Sequence, residues 1–222
     1  MKKTALFFGL ILLAISVSYA QTPEEELLKK KELKLRNYLY ESKAGDRNAK
    51  VRVLEQILNE YDKAGYSDKD RRLVEIVDYL ASEGSSRKEF ENNLLINDFP
   101  EVRRMAIKVS AKIKGDNSRR ILLNALMDDQ NPTVKAEICL ALASIGDNQN
   151  GDVLRSLGYM YRTTYKPDPN LVFALIEAIK NIAKGNTANY SDAIYILSEI
   201  QHGDYNRAIR TAAYDAVQAL SQ

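Results

Sequence analysis

Four segments of the chain repeat one spacing of apolar residues, and this spacing constrains the fold more than any other feature. Counted from Val102, Val134, Leu171 and Ile209, apolar residues recur four, seven, eight and eleven positions further on, with Ser110 as the one exception among twenty positions. Such offsets trace one face of a helix with about 3.6 residues per turn. The sequence therefore predicts four amphipathic helices in one register, at intervals of 32, 37 and 38 residues.

A weaker copy of this pattern precedes the four. Leu73, Ile76, Val77 and Leu80 fill four of the positions, but Lys69 takes the first. Terminal units of repeat proteins are atypical, so we interpret this segment as a degenerate repeat. Each of the five helices is expected to follow a partner helix with its own apolar face. The partner helices are predicted at about 49–61, 87–96, 118–127, 152–161 and 192–200.

Residues typical of helix ends separate these segments. Helix starts are predicted at Ser67 with Asp70, Ser86 with Glu89, Asn131-Pro132 and Asp168-Pro169. Helix stops are predicted at Gly84, Gly115, Gly146 and Gly185. No segment shows sustained apolar-polar alternation between turn residues, so an all-α fold without strands is predicted.

The first 20 residues have the pattern of a secretory signal peptide. Lys2 and Lys3 precede an apolar run from Ala5 to Val17, and Ser18-Tyr19-Ala20 resembles a cleavage site. A transmembrane anchor is the alternative, but these 13 apolar residues fall short of the about 20 that a membrane-spanning helix needs. We therefore expect export to the periplasm or the cell exterior, with no membrane insertion after cleavage.

Charge and cysteine content narrow the classes of partner and of stabilising bond. Lys2 and Lys3 belong to the predicted signal peptide, and the remaining chain carries 30 basic and 30 acidic residues. This balance gives no reason to expect nucleic acid or an anionic membrane as the partner. Cys139 is the one cysteine, so no intramolecular disulfide can form, and we expect it to be a small buried apolar residue.

A further helix is predicted to start at Thr22-Pro23-Glu24-Glu25. Its apolar residues Leu28, Leu35 and Leu39 are diluted by several lysines. A basic arm for an acidic partner is one interpretation. We prefer a solvated cap helix whose glutamates balance the lysines.

The two central repeats resemble HEAT repeats. The resemblance rests on residues 99–104 through 113–116 and on residues 131–136 through 142–147, where proline shortly precedes Val102-Arg103 or Val134-Lys135 and the segment closes near Ile113 or Ile145-Gly146. It implies a right-handed α-solenoid of about five helix pairs in residues 48–222, after an N-terminal cap helix and linker in residues 21–47. It also implies two layers, of first and of second helices, with the second helices commonly forming a surface for partner proteins.

The resemblance further implies a ladder of basic residues that links successive repeats through neighbouring aspartates. Its positions are filled by Arg103, Lys135, Val172 and Arg210. The ladder is therefore expected to be interrupted at Val172. The longer repeat steps imply extra loop residues around 159–168 and 185–191.

Residues for metal binding or catalysis form no recognisable motif. The chain has one histidine, His202, in a predicted helix-ending turn, and its ten glycines are scattered. We therefore expect no metal, no cofactor and no catalytic triad. A glycosidase-type pair of carboxylates facing across a cleft stays open as an alternative.

Two sets of residues are candidates for partner binding. Arg104, Lys108 and Lys112 recur at four-residue steps, and with Arg103 and Lys135 they are predicted to form one basic patch on the second helices; a solvated polar face would show the same spacing. The second set is the loop tyrosines Tyr165 and Tyr190, since tyrosine suits interfaces. The predicted function is a non-catalytic scaffold of the bacterial periplasm or envelope that binds another protein. The alternative is an envelope enzyme or carbohydrate-binding module that uses tyrosines and carboxylates in a groove.

Overall fold

The computed structural model describes residues 22–184 and 190–221, so the predicted signal peptide and Gly185 lie outside the described residues. The described residues form ten α-helices, one 3-10 turn at Gln149–Gly151 and one hairpin. The helices are α1 (Pro23–Ala44), α2 (Arg47–Ala64), α3 (Arg71–Ser82), α4 (Pro100–Ile113), α5 (Gly115–Asp128), α6 (Pro132–Ile145), α7 (Asp152–Thr163), α8 (Pro169–Lys184), α9 (Tyr190–His202) and α10 (Arg207–Leu220). In these two ranges, no helix is long and apolar enough to cross a membrane.

The helices from α2 onward alternate between two rows. In the even row, α2, α4, α6, α8 and α10 pack side by side in that order, and in the odd row α3, α5, α7 and α9 do the same. Each helix contacts its neighbours in its own row, and from α3 onward each also contacts a partner in the other row. This arrangement is an all-α solenoid, in which each repeat buries its apolar face against the next, and it confirms the predicted fold class.

The assignment of α2 and α3 to layers differs from the prediction. The helix predicted at 49–61 as a first helix is α2, which lies in the even row, and the degenerate repeat is α3, which lies in the odd row. The end of α1 precedes α3 in that row, since Lys43 pairs with Glu75 at 2.7 Å. One compact unit of the chain starts at Tyr38. We number its helix pairs in chain order: the end of α1 with α2, α3 with α4, α5 with α6, α7 with α8, and α9 with α10.

This difference arises because residues 87–96 form a β-hairpin instead of the predicted helix. Strand β1 (Phe90–Glu91) pairs antiparallel with β2 (Leu94–Leu95). Asn92 and Asn93 connect them with φ of 48° and 63°, the left-handed conformation of a two-residue type I′ turn, which asparagine tolerates better than most residues. The predicted helix start at Ser86 with Glu89, and the expectation that strands are absent, are therefore wrong.

The repeated apolar stripe forms the core. Eighteen of its twenty positions are buried, and Ile145 and Val217 are partly buried. The polar exception, Ser110, is buried too, and its hydroxyl donates a hydrogen bond to the carbonyl of Ser118 at 3.3 Å. Cys139 is buried as predicted, and burial raises the pKa of its thiol to about 12. The predicted register of the stripe is confirmed.

Side-chain caps fix where the even-row helices begin. The Asn131 side chain accepts hydrogen bonds from the amides of Thr133 and Val134. The Asp168 carboxylate accepts from the amides of Asn170 and Leu171, at 2.8 and 3.3 Å. Both caps agree with the predicted helix starts, and they define a common register for comparing the helices.

Candidate functional site

A ladder of buried charges connects the first three helix pairs. Its cations occupy one register position, four residues after the N-cap of an even-row helix. Lys50 follows Asp46 in this way, Arg103 follows Phe99, and Lys135 follows Asn131. The same position holds Val172 in α8 and Arg210 in α10.

The first rung joins Lys50 to Glu83. Glu83 is the C-cap residue of α3, and its Oε1 accepts a hydrogen bond from Lys50 Nζ in a buried ion pair. Within the described ranges, Glu83 Oε2 has no hydrogen-bond partner. Burial raises the pKa of the Glu83 carboxyl, because desolvation outweighs the attraction of Lys50.

The second rung joins Arg103 to Asp129, the C-cap residue of α5. Arg103 Nε donates to Asp129 Oδ2 at 2.7 Å, and Nη1 donates to Asp98 Oδ1 at 2.7 Å and to the Glu83 carbonyl at 3.0 Å. Asp129 Oδ1 accepts from the Asn131 amide at 2.8 Å. Arg103 is 3% exposed, so this predicted partner-binding residue is instead a buried link between repeats.

The third rung has a cation and no carboxylate. Thr164 is the C-cap residue of α7, the position that Glu83 and Asp129 hold in the preceding odd-row helices, and its hydroxyl donates to the Met160 carbonyl at 2.7 Å. The Lys135 residue is 8% exposed, and its ammonium forms no hydrogen bond or ion pair with the described part of the chain. Burial lowers the pKa of Lys135, and nearby Asp129 opposes this shift only in part.

The ladder ends after this rung because Val172 is fully buried and apolar. This interruption agrees with the sequence prediction. The sequence alone does not indicate Lys50 as a rung, because it predicts α2 in the other layer. The sequence alone also does not show that Thr164 stands where the preceding repeats have a carboxylate, since the odd-row C-caps can be compared only when the helix ends are known.

A groove of about 850 Å³ lies beside Lys135, between the third and fourth helix pairs. Tyr159 and Tyr165 line it and are 60% and 86% exposed. Lys166 also lines it, with Nζ 5.4 Å from the Tyr165 ring centroid. Asp168 is the one carboxylate among the lining residues, and its Oδ1 accepts hydrogen bonds from two backbone amides of α8. The groove therefore presents two lysines and two exposed aromatic rings.

The predicted basic patch does not form one surface. Arg104 of α4 pairs with Glu137 of α6 at 3.2 Å, and Lys112 pairs with Asp62 of α2 at 3.1 Å. Lys108 is exposed. Two of these three cations therefore bridge neighbouring even-row helices, whereas Arg103 and Lys135 are buried in the ladder.

The two predicted loop tyrosines have different environments. Tyr165 lies on the exposed connection between α7 and α8, as expected. Tyr190 begins α9 and packs partly buried against the core, so the expectation of an exposed loop residue is wrong there. Tyr159, which the sequence alone did not favour over other tyrosines, takes the second exposed aromatic position in the groove.

A second, smaller pocket of about 190 Å³ contains the carboxylates of Asp78 and Asp128. Asp78 pairs with Arg87 at 3.1 Å. In the described ranges, no group of three or more His, Cys, Asp or Glu side chains converges to hold a metal ion. His202 ends α9, in agreement with the predicted helix-ending turn.

One comparison with known proteins agrees with this repeat architecture. A family model for HEAT repeats matches residues 90–159, which run from the hairpin into α7 and include Arg103, Asp129 and Lys135. No curated protein matches the sequence significantly. Among solved structures, a designed armadillo repeat protein is similar at 16% identity, with 84% of this chain and 99% of that chain covered and a TM-score of 0.41. The family-model match therefore identifies HEAT-like repeats in residues 90–159, and stacked helix pairs of the same all-α kind lie on both sides of them in the described ranges.

Proposed function

We propose that this protein is a non-catalytic scaffold of the periplasm or cell exterior that binds another protein in the groove beside Lys135. One observation carries this proposal: Lys135, a largely buried lysine whose ammonium has no counter-ion among the described residues, lines the same groove as two exposed tyrosines. HEAT-type repeats generally serve as protein-interaction scaffolds, and stacked repeats present extended surfaces for such partners.

The chemistry of the groove suits a protein partner. Tyrosine is enriched among the residues that contribute most binding energy at interfaces, since it offers a large contact area at low entropic cost. Tyr159 and Tyr165 supply two such rings, and Lys135 and Lys166 supply positive charge in the same groove. Such a surface favours a partner segment that combines apolar and acidic side chains.

The alternative of an envelope enzyme or carbohydrate-binding module has less support. Glycosidases need two carboxyl groups about 5 to 10 Å apart across the substrate. The groove contains Asp168 as its one carboxylate, which caps α8, and in the smaller pocket Asp78 is paired with Arg87. The exposed tyrosines alone would suit a sugar ring, so the test must distinguish sugar binding from protein binding.

The exported location rests on the sequence pattern of residues 1–20. Expression of the full chain with a C-terminal tag, followed by fractionation and N-terminal sequencing, tests it. We expect a mature protein beginning at Gln21 in the periplasm or the medium. Recovery of the uncleaved chain from the cytosol would contradict this location.

Site-specific photo-crosslinking in the native cell tests the binding function. A photoreactive phenylalanine analogue replaces Tyr165 in the groove or, as the matched control, exposed Tyr214 on α10. We expect a discrete protein adduct from position 165 and none of the same mass from position 214. Absence of a protein adduct at 165, or an adduct with saccharide alone, would contradict the scaffold function.

A further inference from the structure

The third rung of the ladder lacks a carboxylate at Thr164, and we call this position the vacancy. The first two rungs indicate which chemical group is missing there. In each of them, a cation four residues after an even-row N-cap is paired with a carboxylate at the C-cap of the next odd-row helix: Lys50 with Glu83, and Arg103 with Asp129. Lys135 repeats the cation, but Thr164 stands at the carboxylate position. From this repetition we infer that the protein partner inserts an aspartate or glutamate side chain into the groove and pairs it with Lys135.

This inference rests on the proposed binding function and specifies its occupant. The Lys135 residue is largely buried, so its ammonium loses part of its hydration, and no carboxylate of the described residues compensates for that loss. A carboxylate that reached Lys135 would be shielded from water by the same residues that shield the lysine. The pairing would therefore contribute more than a rim ion pair does.

The neighbouring acidic groups do not already fill the vacancy. Asp129 Oδ2 accepts from Arg103 Nε and Oδ1 accepts from the Asn131 amide. Asp168 Oδ1 accepts from two amides at the start of α8. Both carboxylates therefore accept hydrogen bonds from other groups, and neither forms an ion pair with Lys135. Burial raises the pKa of the Cys139 thiol to about 12, so this thiol supplies no negative charge near neutral pH.

The groove also provides access and flanking contacts. Lys135 lines the groove together with Tyr159, Tyr165 and Lys166, so its ammonium can be approached from solvent. Residues on either side of the inserted acid would contact the exposed rings. The expected ligand is therefore a polypeptide segment with one central acid and apolar or aromatic neighbours, and not a free carboxylate.

Filling the vacancy from within the chain tests the inference. Thr164→Glu places a carboxylate at the C-cap position, in the same lysine-glutamate combination as Lys50 with Glu83, and Thr164→Gln is the matched uncharged control. We expect Thr164→Glu to reduce the protein adduct at position 165 by about tenfold or more and to raise the melting temperature. Thr164→Gln should leave the adduct yield within about twofold of the parent.

Removing the cation gives a second variant for the case in which Thr164→Glu fails to fold. Lys135→Met keeps an unbranched side chain as far as the Cε position and removes the ammonium, and we expect a similar loss of adduct with no fall in melting temperature. The crosslinked segment, identified by mass spectrometry, is then synthesised with capped ends in two forms: native, and with its acids changed to the corresponding amides. The amide form should bind the parent protein about tenfold more weakly or worse.

The outcomes separate this inference from the proposed function. If position 165 yields a protein adduct that persists in folded Lys135→Met and Thr164→Glu, the partner binds the groove without an acid at Lys135 and the inference is overturned. Equal binding of the native and amide peptides, or competition by free glutamate as strong as by the native peptide, would overturn it as well. If the parent protein yields no protein adduct, the binding function itself fails.

Discussion

Arg103 and Asp129 hold two successive repeats together through a buried, hydrogen-bonded ion pair, with Nε 2.7 Å from Oδ2. Arg103 starts from α4 in the second helix pair, and Asp129 ends α5 in the third. The same arginine also reaches the Glu83 carbonyl at the end of α3. One side chain therefore fixes the ends of two odd-row helices relative to an even-row helix.

Replacing Arg103 by methionine should strongly destabilise the fold. Asp129 would remain buried without a counter-ion, and breaking such a pair costs about 3 to 5 kcal/mol. Arg103→Lys retains the charge but lacks the planar fork that serves three acceptors, so an intermediate loss is expected. Urea denaturation measures both free energies of unfolding. A loss below about 1 kcal/mol for Arg103→Met would contradict the structural role of this rung.

Lys50 and Lys135 should respond in opposite ways to the same substitution. Lys50→Met leaves Glu83 buried and unpaired, and should lower the free energy of unfolding by about 3 kcal/mol. Lys135→Met removes a buried charge that has no counter-ion, and should leave stability unchanged or raise it by up to about 1 kcal/mol. Parallel denaturation curves measure the contrast. Equal destabilisation would show that Lys135 has a stabilising partner after all.

The partly exposed end of the α6 stripe predicts a graded response along one helix. Ile138 is fully buried, whereas Ile145 is only partly buried at the end of α6. Ile138→Ala should cost about 2 to 5 kcal/mol, since it opens a cavity in the core. Ile145→Ala should cost less than half of that, because solvent and neighbouring side chains can fill the space. Similar losses at both positions, measured by thermal denaturation, would place the stripe in a different register.

The sequence was sufficient for most of the fold because burial requires a periodic pattern. The stripe beginning at Val102, Val134, Leu171 and Ile209 identified four even-row helices and their register. It failed between Arg87 and Ile96, where turn chemistry at Asn92 and Asn93 overrode a helix interpretation. That one error moved α2 and α3 to the wrong layers, because counting alternate helices depends on every element before them.

The site was predictable only in part, for a geometric reason. Lys135 and Tyr165 were both singled out from sequence, but for separate surfaces. Their placement in one groove depends on the connection between α7 and α8, whose path the stripe does not constrain. The vacancy at Thr164 is a relation between helix ends in different repeats, and a polar threonine there carries no signal by itself.

The hairpin predicts a local response to turn substitutions. Glycine adopts a positive φ readily, so Asn93→Gly should preserve the pairing of Phe90 with Leu95. Asn93→Val places a β-branched residue in the left-handed region and should break this pairing. Cross-strand nuclear Overhauser effects between β1 and β2 report the hairpin, and circular dichroism reports the helices. Loss of helicity in Asn93→Val would contradict a local response and would show that the helices of the solenoid depend on the hairpin.

The lowered pKa of Lys135 makes a prediction about alkaline stability, and its sign follows from proton binding. The folded-state pKa lies below the ordinary value of 10.5, so between these two values the unfolded chain binds more protons at this site than the folded chain does. Stability contributed by this site therefore rises as pH increases through that window. The Lys135→Met variant lacks this effect. Its free energy of unfolding is therefore the reference, because subtracting it cancels the contributions of all other lysines.

We therefore expect the parent protein to gain stability relative to Lys135→Met as pH rises from neutral through the folded-state pKa towards 10.5. Urea denaturation at a series of pH values gives the difference in free energy. Carbon-13 reductive methylation with NMR titration measures the amine directly, and Thr164→Glu should move its pKa upward, because a carboxylate stabilises the ammonium. Two results would contradict this prediction: a free-energy difference between the two proteins that stays constant or falls as pH rises, or a Lys135 amine that titrates at the ordinary lysine pKa. Either would mean that the ammonium remains fully hydrated in the groove.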